Sequence, residues 1–333
     1  MKKLSILILF LALIQVGFGK NVASLPDVMN AEYFVVDGDK FFISEGVHIY
    51  IYNLSDYKLL RKIGKEGEGP QEFKVNAQAG GLVMAIQPDY IYVSSMDKIS
   101  YFTRNGDFIK EMRKKTSFTT YFYPIGSQHV GITFAEEDKK IFQTVVLYDS
   151  GLKRVKEIFR QDHFFQHGRF NPVGQLPVVE TYKDKIVVGG TRGIFVFNAK
   201  GEKEATIIKP FEEVAVEDSH KKEVIHFYKT DIRLKHLYQS IKQNFQFPPY
   251  FCNIKTFKLW DDKIYVQTYK RKGDQSEIVI LDLKGKLIKK TFLPVAEKNL
   301  FEPYPYSVYN GKFYQLVENI DEEEWELHVF PIE

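Results

Sequence analysis

One hairpin signal recurs six times along this chain of 333 residues, and it constrains the fold more than any other feature. A short polar turn is followed each time by a strand that alternates aromatic or β-branched residues with others. It reads DGDKFFI from Asp37, QPDYIYV from Gln87, SQHVGIT from Ser127, YKDKIVV from Tyr182, WDDKIYV from Trp260 and YNGKFYQ from Tyr309. Turn residues flanked by alternation mark antiparallel hairpins. A second turn follows five of the six signals, at Asp56, Gly106, Gly151, Gly201 and Gly285. Measured from Lys40, Tyr90, His129, Lys185 and Lys263, the gaps take only two values, 16 and 22 residues. A fixed order with one variable middle loop predicts a four-stranded meander in each unit, and six such units predict an all-β, six-bladed β-propeller.

The sixth unit, from Lys312, ends near Phe330, where its fourth strand should begin. That would leave an open sheet edge, which invites aggregation. Asn21–Pro26 (NVASLP) reads like the end of the fifth unit's outer strand, KKTFLP from Lys289. The N-terminal segment is therefore expected to supply the missing strand and close the ring.

Residues 1–19 read as a signal peptide. Lys2 and Lys3 precede an apolar run from Leu4 to Val16, and Gly17-Phe18-Gly19 offers small residues for cleavage. The run is too short for a transmembrane span. No Cys follows it, so the chain does not read as a lipoprotein. The expectation is an exported protein, periplasmic or secreted, with residues 20–333 as the propeller. Its formal charge of +3 falls to +1 when Lys2 and Lys3 leave, which argues against nucleic acid as a partner. Cys252, the one cysteine, reads as a small buried hydrophobe.

Two stretches stand outside the repeat. In Arg61–Phe73 (RKIGKEGEGPQEF), Gly64, Gly67 and Gly69 with Pro70 make a sharp turn, and Phe73 is expected to plug it into the core. A phosphate cradle is the alternative, but such a loop must open a helix and this one sits among strands. The GxGxGPxEF pattern after a strand ending in Ile-Gly resembles the exported six-bladed β-propellers of NHL-repeat type common in Bacteroidota-like bacteria. The resemblance implies the fold and the compartment, and no catalytic residue. The second stretch, about 216–246, reads as a helical insertion between blades four and five. Leu234, Leu237, Tyr238, Ile241 and Phe245 form one stripe, with Thr230-Asp231 as a break before it. It is expected to pack on the propeller face or to serve as a lid over the channel.

Four residues are candidate ligand contacts on the loop-rich face: Arg192, Arg169, His163 and Tyr269. Arg192, in GGTRG, is expected near the channel, where its planar fork suits carboxylate or phosphate. His163 and His167 have the i, i+4 spacing that holds a metal from a helix. His129 reads as structural, and the acidic run from Asp321 to Glu324 as a solvated hairpin tip. No Gly-x-Ser-x-Gly elbow is present. The chain thus reads as a monomeric, non-catalytic module for a protein, peptide or glycan, without a cofactor. The alternative is a metal-assisted hydrolase or lyase at the channel, with His163 and His167 as ligands.

Overall fold

The computed structural model describes residues 20–75, 81–114 and 122–332. The expected leader, 1–19, lies outside them. Six four-stranded antiparallel meanders follow one another, each starting with its innermost strand. These inner strands are Tyr33–Asp37, Val83–Ile86, Phe122–Ile125, Val178–Tyr182, Thr256–Trp260 and Tyr306–Tyr309. Each touches the next, and the last returns to the first, so the sheets stand in a closed ring.

Closure comes from the N-terminal strand. Lys20–Ser24 pairs antiparallel with Glu324–Pro331, in the register Asn21 to His328 and Ser24 to Glu326. It is thereby the outer strand of blade six, as the truncated sixth unit predicts. Leu25, fully buried, continues the contact, and its N–H donates to the Trp325 carbonyl at 2.7 Å.

The sequence alternation explains the packing. In a strand, successive side chains face opposite sides, so each blade offers apolar residues to both neighbours. Distinct buried clusters fill the six interfaces in turn. Phe41 and Leu327 join blades six and one, Phe42 and Met84 one and two, Tyr92 and Phe122 two and three. Val145 and Val188 join three and four, Val196 and Val266 four and five, Ile280 and Phe313 five and six.

His129 belongs to this core, as its position in the repeat predicts. It is 3% exposed, and with the proton on Nε2 its Nδ1 accepts from the Tyr92 hydroxyl at 3.1 Å. Burial pushes its pKa down from 6.5 to about 4. Between those values the unfolded chain binds a proton that the folded one does not, so stability falls as pH falls. A shift of this size corresponds to about 3 kcal/mol. Urea titrations at pH 6.5 and 4 should show the wild type losing about that much more stability than His129→Phe. Equal losses in both proteins would contradict the assignment.

The glycine-rich loop behaves as a plug. Phe73 is fully buried between blades one and two. Gly64 has φ of +89°, and a Cβ there would stand 2.2 Å from the Val47 carbonyl oxygen, so no other residue fits. The loop does cradle an anion, namely its own Glu72 carboxylate. That group accepts from the Gly69 N–H at 2.7 Å and pairs with Lys65 at 2.9 Å. Lys65 first, then Gly69, holds the Glu72 carboxyl below the usual range. The carboxylate takes the place a phosphate would need.

Candidate functional site

In each meander the inner strand begins on the face that carries the connections between blades and the hairpin between second and third strands. The opposite face has only tight polar turns, several built on positive-φ residues such as Gly38, Lys183 and Asn310. Everything long lies on the first face. The connections after blades three, four and five run over 163–177, 208–255 and 294–305.

The insertion after blade four is helical, as expected, but Leu237 of the expected stripe is 43% exposed and stands off the packed face. Helix α1 spans Asp218–Thr230 and α2 spans Lys235–Ile241, with a 3₁₀ turn at Lys242–Asn244. Asp231 sits at the C-terminal end of α1, and Val224, Tyr228, Leu234, Tyr238, Ile241 and Phe245 face inward. They pack on the connection after blade three. The Tyr228 hydroxyl donates to the Pro172 carbonyl at 3.3 Å, and Phe245 stacks on Phe170 at 5.5 Å. Arg233 then ties the insertion to the connection after blade five, pairing with Asp231 at 2.7 Å and Glu302 at 2.9 Å. Among the described residues no helix is long and apolar enough to cross a membrane.

Three clefts lie in a row at the edge of this cap and beneath it. The first, about 490 Å³, lies between the outer strand of blade three and blade four, and is lined by Phe159, Phe195, Arg192 and Lys203. The second, about 710 Å³, is lined by His163, His167, Arg169, Asn171 and Gln246. The third, about 470 Å³, is apolar and lies between α1, α2, Phe164, Phe170 and Phe301. The first and second share Asp162 and Thr191 as walls. The second and third share Phe164, Gly174 and Gln175. The three adjoin one another as a groove in three parts.

The candidate residues distribute over this groove unevenly. Arg169, His163 and His167 come together in the middle cleft, while Arg192 lines the outer one and not the channel. Its hairpin joins the second and third strands of blade four, which stand away from the axis. Tyr269 lies under the cap, 9% exposed, stacked on Phe251 at 4.3 Å. It supports the insertion and offers no surface to a ligand. The helical premise behind the histidine pair also gives way. Residues 165–170 form a tight hairpin, with Phe165 opposite Phe170 and positive φ at His167 and Gly168. The His163 Nδ1 accepts from the Phe165 N–H at 3.0 Å, and burial lowers its pKa. Among the described residues no three His, Cys, Asp or Glu side chains gather as metal ligands would.

The channel is narrower, about 170 Å³, and its chemistry is closed on itself. Lys258 reaches Glu180 at 2.6 Å across blades four and five, under the rings of Tyr33 and Tyr306. Burial alone would lower the Lys258 pKa, yet the Glu180 carboxylate, with the Tyr306 and Tyr123 hydroxyls beside it, turns the shift upward and holds the ammonium charged. A charged, paired lysine is neither a nucleophile nor a base. The Tyr306 hydroxyl is pushed up to about 12 by burial, so it too keeps its proton at neutral pH.

No family model matches the chain, and no curated protein does. Solved structures do. The Cps50 (Swd1) β-propeller domain of Myceliophteria thermophila is 8% identical, with a TM-score of 0.42, 93% of this chain and 99% of that one covered. A protein of unknown function from Bacteroides caccae is 9% identical, with a TM-score of 0.43, over 79% of this chain and 81% of that one. Kuenenia stuttgartiensis hydrazine synthase is 11% identical, with a TM-score of 0.44, over 95% and 80%. The assignment as a six-bladed propeller rests on the topology described above.

Proposed function

We propose that this chain is an exported binding module that holds a linear partner, a peptide, protein segment or glycan, along the capped face. The observation that carries this reading is that the three clefts adjoin one another across shared walls. Their shared walls make a channel-sized ligand a poor fit and an extended one a good fit. The channel adds support, since Lys258 is held charged against Glu180 and the Tyr306 hydroxyl beside it keeps its proton.

Export is part of the same reading. Cleavage after Gly19 would release a chain whose first residues are the closing strand, leaving that strand whole. Cys252 suits an oxidising compartment, because burial pushes its thiol up to about 11 and leaves little thiolate to react. A relationship to the NHL-repeat propellers, which the GxGxGPxEF pattern suggests, would agree with both. The protein would act as a monomer.

The test is a screen of the purified protein against a glycan array and a displayed peptide library, followed by hydrogen exchange with whatever binds. Slower exchange is expected in 158–176, 191–203 and 227–245. Protection confined to the opposite face, or turnover with no binding, would contradict the proposal.

A further inference from the structure

Charge is distributed along the groove in a way that specifies its occupant. In the outer and middle clefts, Arg169, Arg192 and Lys203 make no ion pair among the described residues. Arg160, beside them, is already held by Glu157 and Glu137. Among the described residues the only acid lining these two clefts is Asp162. The surplus is therefore positive, on two arginines whose planar forks suit carboxylates. The third cleft differs. Its ions, Arg233 and Glu302, pair with each other, Arg233 also holding Asp231, and the rest of its wall is mostly apolar, Phe164, Phe170, Phe227, Leu234, Ile241 and Phe301 among them, with Gln175 and Tyr228 as its polar members.

Resting on the groove as the binding surface, we propose that its occupant is an extended acidic peptide that ends in large apolar side chains. The acidic residues lie against Arg169, Arg192 and Lys203, and a Leu, Ile or Phe enters the cleft under α1 and α2. Leu237 and Leu176, 43% and 40% exposed, form the lip that this side chain covers. The apolar cleft decides between peptide and sugar. A glycan would bring many hydroxyls to a wall that is mostly Phe, Leu and Ile, where the Tyr228 hydroxyl is already given to Pro172 and Arg233 to Glu302, and buried hydroxyls without partners oppose binding. Phe159 and Phe195, 5.0 Å apart in the outer cleft, likewise offer apolar contact and not hydrogen bonds.

The test selects a displayed library of random dodecapeptides on the full mature chain. Enriched sequences should cluster Asp and Glu toward one end and Leu, Ile or Phe toward the other. Fluorescein-labelled copies should bind at least tenfold more weakly to the double variant Arg192→Glu, Lys203→Glu, and to Leu237→Asp. All three positions are exposed, so unchanged melting temperatures should show that the variants fold. Basic or unbiased sequences, no enrichment, or affinities unmoved by both variants would overturn the inference. If a glycan instead occupies the groove and no peptide does, the binding-module reading stands and this inference falls.

Discussion

A chain starting at residue 26 should fail to fold cooperatively and should precipitate at concentrations where the chain starting at residue 20 stays clear. Two losses combine. Leu25 is fully buried against Trp325 and the blade-one core, and deleting such a side chain costs about 2–5 kcal/mol. The ladder between Lys20–Ser24 and Glu324–Pro331 goes with it, at about 1 kcal/mol for each net hydrogen bond. Against a total stability of about 5–15 kcal/mol this is most of the margin. The exposed strand Glu324–Pro331 would then be an open edge, ready to pair with another chain. Thermal unfolding followed by circular dichroism, with light scattering on the same sample, reads both effects. A shortened chain that melts sharply within a few degrees of the longer one would show that the ring does not depend on its N-terminal strand.

The second large effect is expected at Glu297. Its side chain, on the connection after blade five, gathers four donors. Lys255 and Arg271 reach Oε2 at 2.9 and 2.8 Å, and Gln267 and Ser276 reach Oε1 at 2.9 and 3.1 Å. Lys255 is 4% exposed, so removing its partner strands a cation in the core. Breaking a buried pair in this way costs about 3–5 kcal/mol. Glu297→Ala should lower the midpoint of urea unfolding accordingly, and Glu297→Gln should do so nearly as much, because the charge and not the volume is what Lys255 needs. The pH dependence gives a second check. Burial lowers the Lys255 pKa, and Glu297 opposes that fall. Without Glu297 it falls further, so below its ordinary 10.5 the folded state binds fewer protons than the unfolded one. Stability of the variant must then rise with pH in that window, and its deficit narrow. A deficit independent of pH would place the loss elsewhere. Glu297 also anchors the connection that carries Phe301 and Glu302, so binding in the apolar cleft should weaken with it.

The architecture was legible because a propeller repeats its information. The polar turn before Lys40, Lys185, Lys263 and Lys312 marks the same strand start in four blades, and Tyr90 and His129 mark it in the others. The missing sixth outer strand was legible as an absence with a matching surplus at the other terminus. The groove was not. Phe159, Phe195 and Phe301 read as ordinary strand and loop residues, and only the ring brings them onto one surface. Lys203 and Arg233 gave no local signal for the same reason. Tyr269 shows the converse error. Its place beside a hairpin tip reads as exposed, but the segment that follows the insertion folds back and stacks Phe251 on it. Arg192 was placed correctly on the face and wrongly relative to the axis, because a hairpin between second and third strands opens mid-blade.

The capped face exists only if the ring closes, so closure is the claim to test most directly. Asn21 and His328 are direct partners across the joint, and partners in an antiparallel pair stand about 4.5–5.5 Å apart at Cα, within reach of a disulfide. In the double variant Asn21→Cys, His328→Cys, mild oxidation should yield an intramolecular bond in nearly every molecule, seen as the loss of two hydrogens by intact mass, and should raise the melting temperature. Thiols that stay free at both positions, or bonds that form only between molecules, would contradict the closed ring.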